Sequence, residues 1–230
     1  QIVGKKEING LTYYFDNKGV MQTGWALIEG HWNYFASSGA MKTGWIKDKD
    51  TWYYLDKEGV MLTGLQEIEG TRYYLNASGA MQTGWKWFDN HYSYFTSSGA
   101  MKTGWLKDKD TWYYLDKEGI MLTGLQEIDG SRYYLNTSGA METGWKQLNG
   151  NWYYFQADGS LLRNGTTPDG YKVNQDGIWS LNPDKEEVQG SQEEPKKDSD
   201  KPVEKEEKSA KVNEKDEASE TKPILKADKE

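Results

Sequence analysis

A chain of 230 residues with 36% hydrophobic and 28% charged residues and a net charge of −8 is too acidic to make nucleic acid its main partner. No apolar run approaches the roughly 18 residues that insertion into a bilayer requires. Cysteine is absent, which removes disulfide frameworks and thiolate metal sites, while 11 Trp, 16 Tyr and 25 Gly point to short strands and tight turns rather than helices.

In chain order, the first predicted element is a degenerate hairpin in "GKKEINGLTYYF", starting at Gly4. Gly24, Gly44, Gly64, Gly84, Gly104, Gly124 and Gly144 then follow at a strict spacing of twenty, each preceded by Thr. A fixed period of this length marks a repeat architecture. Each unit has hairpin grammar: in "GWALIEGHWNYFASSGAM" a strand from Trp25 to Ile28 meets a turn at Glu29–Gly30, and a second strand runs from Trp32 to Phe35. A lone hairpin is marginal in water, so consecutive hairpins must stack and share a core. The expected fold is therefore an all-β solenoid of hairpins over residues 1–182. Its register slips at "RNGTTPDGYKVNQDGIW", so residues 161–182 are expected to form a terminal cap. Residues 183–230 contain no aromatic and alternate acidic with basic residues. Too little apolar surface is available there to offset ordering entropy, and the segment is expected to be a disordered linker or tail.

Within the units, some positions never change and others change together. The fourth residue of the second strand is always Phe or Leu, as in Phe15, Phe35, Leu55 and Leu75, which suits a buried position. The third is always Tyr, and a Met series (Met21, Met41, Met61, Met81, Met101, Met121, Met141) is unbroken; for both series a structural and a functional role compete. The residues that open the two strands behave differently. They are Trp25/Trp32, Trp45/Trp52, Trp85/Tyr92, Trp105/Trp112 and Trp145/Trp152, but Leu65/Arg72, Leu125/Arg132 and Lys5/Thr12 in three units. Since those three keep the rest of the frame, the frame does not need the tryptophans. Clustered indoles and tyrosines make an aromatic box whose electron-rich faces favour a quaternary ammonium.

The segments "TGWIKDKDTWYYLDKEGVMLTG" and "TGWKQLNGNWYYFQADGSLL" resemble the repeats of choline-binding proteins, the cell-wall-binding modules of pneumococcus, related streptococci and their phages. The resemblance extends over residues 1–182. It implies a left-handed superhelix with about three hairpins per turn, and choline of teichoic and lipoteichoic acids held between successive hairpins. It further implies a protein secreted to the bacterial cell surface. Carried onto this chain, the resemblance implies cages of Trp25 and Trp32 with Tyr54, Trp45 and Trp52 with Tyr74, Trp85 and Tyr92 with Tyr114, and Trp105 and Trp112 with Tyr134. The tyrosine preceding each third wall is left open as the alternative. Trp145 and Trp152 supply two walls of a last cage, with Tyr171 as candidate third wall, and Trp87 is an extra aromatic suited to compensation or dimerisation. The three units without the tryptophan pair begin sixty residues apart. With the three hairpins per turn that the resemblance implies, they are expected to form a site-less edge bearing Lys5, Arg72 and Arg132, open to a host or other protein partner.

No catalysis and no cofactor are expected. His31 and His91 occupy equivalent turn positions without a nucleophile or metal-ligand cluster beside them, and Asp56 and Glu58 recur in loops beside lysines. Two alternatives accompany the choline reading: a glucan-binding repeat module, and the targeting arm of a wall hydrolase whose catalytic domain lies outside this chain.

Overall fold

A computed structural model describes residues 1–179; the expected tail and residues 180–182 of the expected cap lie outside the described residues. Every regular element among the described residues is a strand. Eight hairpins form as antiparallel pairs. The first four are β1 (Gly4–Ile8) with β2 (Leu11–Phe15), β3 (Gly24–Ile28) with β4 (His31–Phe35), β5 (Gly44–Asp48) with β6 (Thr51–Leu55), and β7 (Gly64–Ile68) with β8 (Thr71–Leu75). The fifth to seventh are β9 (Gly84–Phe88) with β10 (His91–Phe95), β11 (Gly104–Asp108) with β12 (Thr111–Leu115), and β13 (Gly124–Ile128) with β14 (Ser131–Leu135). A short β15 (Met141–Glu142) adds to β14, and the eighth hairpin is β16 (Gly144–Leu148) with β17 (Asn151–Phe155). In the cap, β18 (Gly165–Thr166) pairs with β19 (Lys172–Val173). The chain divides into two compact units: one contains Gln1–Lys102 with the first five hairpins, and the other begins at Thr103.

The turns follow from their residues. Glu29 and Gly30 sit at φ 53° and 82°, as a two-residue type I′ turn demands of both central positions. The expected two-stranded hairpins gain a further backbone bridge: Met41 bridges back to Phe35, and Lys42 N–H donates to Tyr34 O at 2.8 Å. Asp56, expected to be a solvated carboxylate, instead closes its loop, its Oδ1 accepting from Val60 N–H at 2.8 Å.

One set of hydrogen bonds ties hairpin to hairpin and explains why the tryptophan positions can vary. In the first unit, the amides of Met41, Met61, Met81 and Met101 donate to the carbonyls of Thr12, Trp32, Trp52 and Arg72, each at 2.8 Å. The frame uses the backbone of this position, so Thr, Trp and Arg serve it equally. Within the second unit, Leu161 N–H donates to Arg132 O at 2.8 Å and Trp179 N–H to Trp152 O at 2.9 Å. The fourth-position side chains lie on the opposite face of each hairpin. Phe35, Leu55, Leu75, Phe95, Leu115, Leu135 and Phe155 are fully buried, as expected of the fourth position. Gly39, Gly59, Gly79, Gly99, Gly139 and Gly159 each receive the methionine of the preceding repeat. Gly59 stands at φ 78°, and a Cβ there would collide with the Met41 side chain, so the Met and Gly series are two halves of one contact.

Candidate aromatic cages

The register of the second hairpin sets Trp25 opposite Tyr34 and Leu27 opposite Trp32. Both tryptophans and the third-position tyrosine therefore share one face, and Phe35, Asn33 and Ile28 share the other. Tyr34 packs edge-on against Trp25 of its own hairpin at 5.1 Å between centroids. The same indole meets Tyr53 of the next hairpin at 4.8 Å. The arrangement recurs around Trp45, with Tyr54 at 5.1 Å, Tyr73 at 4.8 Å and Trp52 at 6.4 Å and nearly perpendicular. In the second unit Trp105 has Tyr114 at 5.1 Å, Tyr133 at 4.8 Å and Trp112 at 6.2 Å.

This geometry corrects the expected third walls. Tyr53, Tyr73 and Tyr133 stand beside the tryptophans of the preceding hairpin, where Tyr54, Tyr74 and Tyr134 were expected. Tyr54 packs on its own Trp45, Tyr74 stacks on Phe88 at 4.7 Å, and Tyr134 packs against Phe155 at 6.1 Å. Tyr114 likewise serves its own Trp105. The reason is the head-to-tail stack: within each compact unit a hairpin presents its tryptophan face to the opposite face of the next. The third wall must then come from the opposite parity to the tryptophans, namely the residue that follows the second tryptophan position, as Tyr53 follows Trp52. A signal for this was present in the sequence. That position reads Tyr13, Asn33, Tyr53, Tyr73, Ser93, Tyr113, Tyr133 and Tyr153, and it loses its tyrosine at Asn33 and Ser93, each following a hairpin without the tryptophan pair.

Between the second and third hairpins lies a cavity of about 620 Å³, lined by Trp25, Trp32, Tyr53 and Met61, with Asp48, Thr51 and His31 among its polar groups. Asp48 Oδ2 accepts from Trp25 Nε1 at 3.0 Å, which fixes the indole plane. Burial, then the charge of Asp48, pushes the Tyr53 phenol above its usual range, against a smaller opposing effect of its hydrogen bond with Thr51. His31 Nδ1–H donates to Glu29 O at 3.1 Å and is held as a turn residue.

The junction after the fourth hairpin is built differently. Leu65 is exposed, Arg72 pairs with Glu67 at 3.9 Å, and Ser93 is fully buried where a tyrosine would stand. Phe88 stacks on Tyr74 instead and fills the interface. Arg132 is also engaged, with Glu127 at 3.7 Å. On the fifth hairpin Trp85 packs on Tyr94 at 5.2 Å, while Tyr92 sits against the exposed Trp87 at 4.8 Å.

The last expected cage is closed. Trp145 and Trp152 are each only 7% exposed and form a cluster with Val173, against which Tyr171 and Trp179 pack. Tyr171 does reach Trp145, at 5.7 Å, but the cap covers the pair and makes it a core. No group of acidic and histidine side chains able to hold a metal occurs among the described residues, and no helix there is long and apolar enough to cross a membrane.

Within each compact unit the chain is a stack of β-hairpins, with two tryptophans and a tyrosine clustered at several of its junctions. Choline-binding repeats match at residues 2–43, 23–63, 42–83, 82–123 and 122–165, and the chain belongs to that family. Among solved structures it is similar to CbpJ of Streptococcus pneumoniae, at 40% identity and a TM-score of 0.72, covering 78% of this chain and 71% of that one. It also resembles choline binding protein F of the same organism, solved with a peptidoglycan analogue, at 42% identity and a TM-score of 0.68. That match covers 74% of this chain and 61% of the other, so this chain spans about three fifths of that protein. The choline-binding domain of CbpL, also pneumococcal, matches at 28% identity and a TM-score of 0.61, over 83% of this chain and all of that domain. No curated protein matches the chain.

Proposed function

We propose that this chain is a non-catalytic wall-binding module that holds a secreted protein on the bacterial surface by binding choline of phosphocholine-bearing teichoic and lipoteichoic acids. The observation that carries the reading is the open Trp25–Trp32–Tyr53 cavity with Met61 in its lining. Trp45–Trp52–Tyr73 and Trp105–Trp112–Tyr133 are two more cages of the same construction, and Trp85 with Tyr92 offers the same two-walled face on the fifth hairpin. A trimethylammonium cannot hydrogen-bond, so ring faces and a nearby carboxylate suit it better than a set of directed donors would. Each cation–ring contact contributes about 0.5–2 kcal/mol, which makes a single cage weak, on the order of millimolar. Several cages on one polymeric ligand gain from effective concentration, and this suits retention on a wall rather than capture of free choline.

The test is retention of the full chain on a choline-bearing resin, with elution by free choline and a parallel dextran column. Retention on the first column and passage through the second is the expected result. Binding to dextran alone would establish the glucan reading in its place.

A further inference from the structure

The Trp25 and Trp45 cages are each tied to the loop that follows the hairpin two further on, and that loop changes with the cage. At the Trp25 cage, Met61 N–H donates to Trp32 O, and the Met61 side chain packs against Gly79. The loop that holds Gly79 is thereby drawn over the junction, where Ala77 and Ser78 line the Trp25–Trp32–Tyr53 cavity. The same linkage recurs at the Trp45 cage, from Trp52 O through Met81 to Gly99, whose loop carries Ser97 and Ser98. It recurs again after the first hairpin, which has no tryptophan pair: Met41 N–H donates to Thr12 O, and Met41 packs against Gly59. The loop there carries Lys57 and Glu58. It is sealed onto the junction, because the buried Asn33 stands where a third wall would and donates its Nδ2–H to Gly59 O. At the Trp105 cage of the second unit the equivalent loop, against Met141, carries Ala157 and Asp158. That carboxylate is turned into its own loop, accepting from Ser160 N–H at 2.9 Å and Ser160 Oγ–H at 2.7 Å.

The cavity of about 620 Å³ falls in the range of roughly 300–1,000 Å³ that takes a drug-sized ligand, far more than one trimethylammonium fills. Asp48 and Lys49 line it together, so its charges do not decide between free choline and a phosphate ester of choline. Side-chain size at the loop is what differs between junctions. We propose that this loop sets what can hang from a bound choline. The small pairs Ala77–Ser78 and Ser97–Ser98 leave a way out for a choline borne on a phosphodiester chain. A Lys–Glu pair in the same place stands in the path of that chain. The rings hold the cation, and the loop selects between the free and the polymer-borne form. This inference rests on the choline reading above and concerns the loop rather than the rings. The two kinds of loop share one backbone: Oδ1 of Asp56 accepts from Val60 N–H at 2.8 Å, and Oδ1 of Asn76 from Ala80 N–H at 2.9 Å. One pair of side chains can therefore be exchanged for the other without loss of the fold.

The test copies one loop onto the other in the full chain, as Ala77→Lys with Ser78→Glu, beside the uncharged pair Ala77→Gln with Ser78→Gln. Labelling with 5-fluorotryptophan lets each cage report its own titration. The ligands are choline and glycerophosphocholine, a phosphodiester that carries choline on glycerol. At the Trp25 cage both pairs are expected to lower the preference for glycerophosphocholine over choline by about tenfold, since added bulk in a filled mouth is costly. The Trp45 cage, under the unaltered Ser97–Ser98 loop, should keep its preference. Equal losses for the two ligands, no loss, or a loss confined to the charged pair would overturn the role of loop size while leaving choline binding intact. An absence of any shift with either ligand in the unsubstituted chain would overturn the choline reading and this inference together.

Discussion

Two junctions in the first unit, after the second hairpin and after the fourth, share a frame and differ in what fills it. After the second, Trp25, Trp32 and Tyr53 surround an open cavity. After the fourth, Leu65, Arg72 and Ser93 take their places, and Phe88 stacks on Tyr74 across the gap. Yet Met61 N–H bonds to Trp32 O and Met101 N–H to Arg72 O at the same 2.8 Å. Phe35 and Phe95 are equally buried. Stacking is thus carried by backbone and by the invariant core face, while the variable face is free to be a cage or a filled interface. At the junctions after the first and fourth hairpins, loss of the tryptophan pair accompanies loss of the facing tyrosine, at Asn33 and Ser93, whereas Tyr153 is kept after Leu125 and Arg132.

The sharpest way to break this division is to attack the core face. Phe95→Ala should destabilise the first unit by about 3–5 kcal/mol, measured as a fall in melting temperature, because a fully buried ring leaves a cavity. Should Phe95→Ala lower choline uptake at the Trp25 cage with no change in melting, the core face would not be the frame. Next comes the filled junction itself. Ser93→Tyr restores the missing wall at a fully buried position, and overpacking should cost about 1–3 kcal/mol by denaturant titration. A neutral result there would mean that the junction holds room for a third wall after all.

A smaller effect is expected where frame and cage meet. Gly79 sits at φ 80° under Met61, and Met61 also lines the Trp25 cavity. Gly79→Ala should cost about 1 kcal/mol or more and weaken choline at that cage, which calorimetry of unfolding and of binding can separate. Smallest of all in stability is Trp52→Arg, which copies Arg72 into a cage position whose side chain is 42% exposed. It should move unfolding by less than about 1 kcal/mol while abolishing binding at its own cage. A loss of stability as large as that of Phe95→Ala would make the tryptophans part of the frame and end the comparison.

Much of this was legible in the sequence because hairpins are local. Twenty residues suffice to set a turn, a register and an alternation, so the repeat, the buried fourth position and the tryptophan face could all be read from spacing. That some junctions lack a cage could also be read, from Leu65 and Arg72 against Trp25 and Trp32, but they were expected to leave an open edge, and the stack of Phe88 on Tyr74 fills the one after the fourth hairpin. What a hairpin shows to its neighbour is a different matter, because it depends on contacts between residues some thirty positions apart. Only the stacked structure brings Tyr53 to Trp25 and sends Tyr54 back to its own Trp45. Only the fold of the cap turns Trp145 and Trp152 from expected cage walls into a buried cluster, since a local pattern cannot show what later chain will cover it.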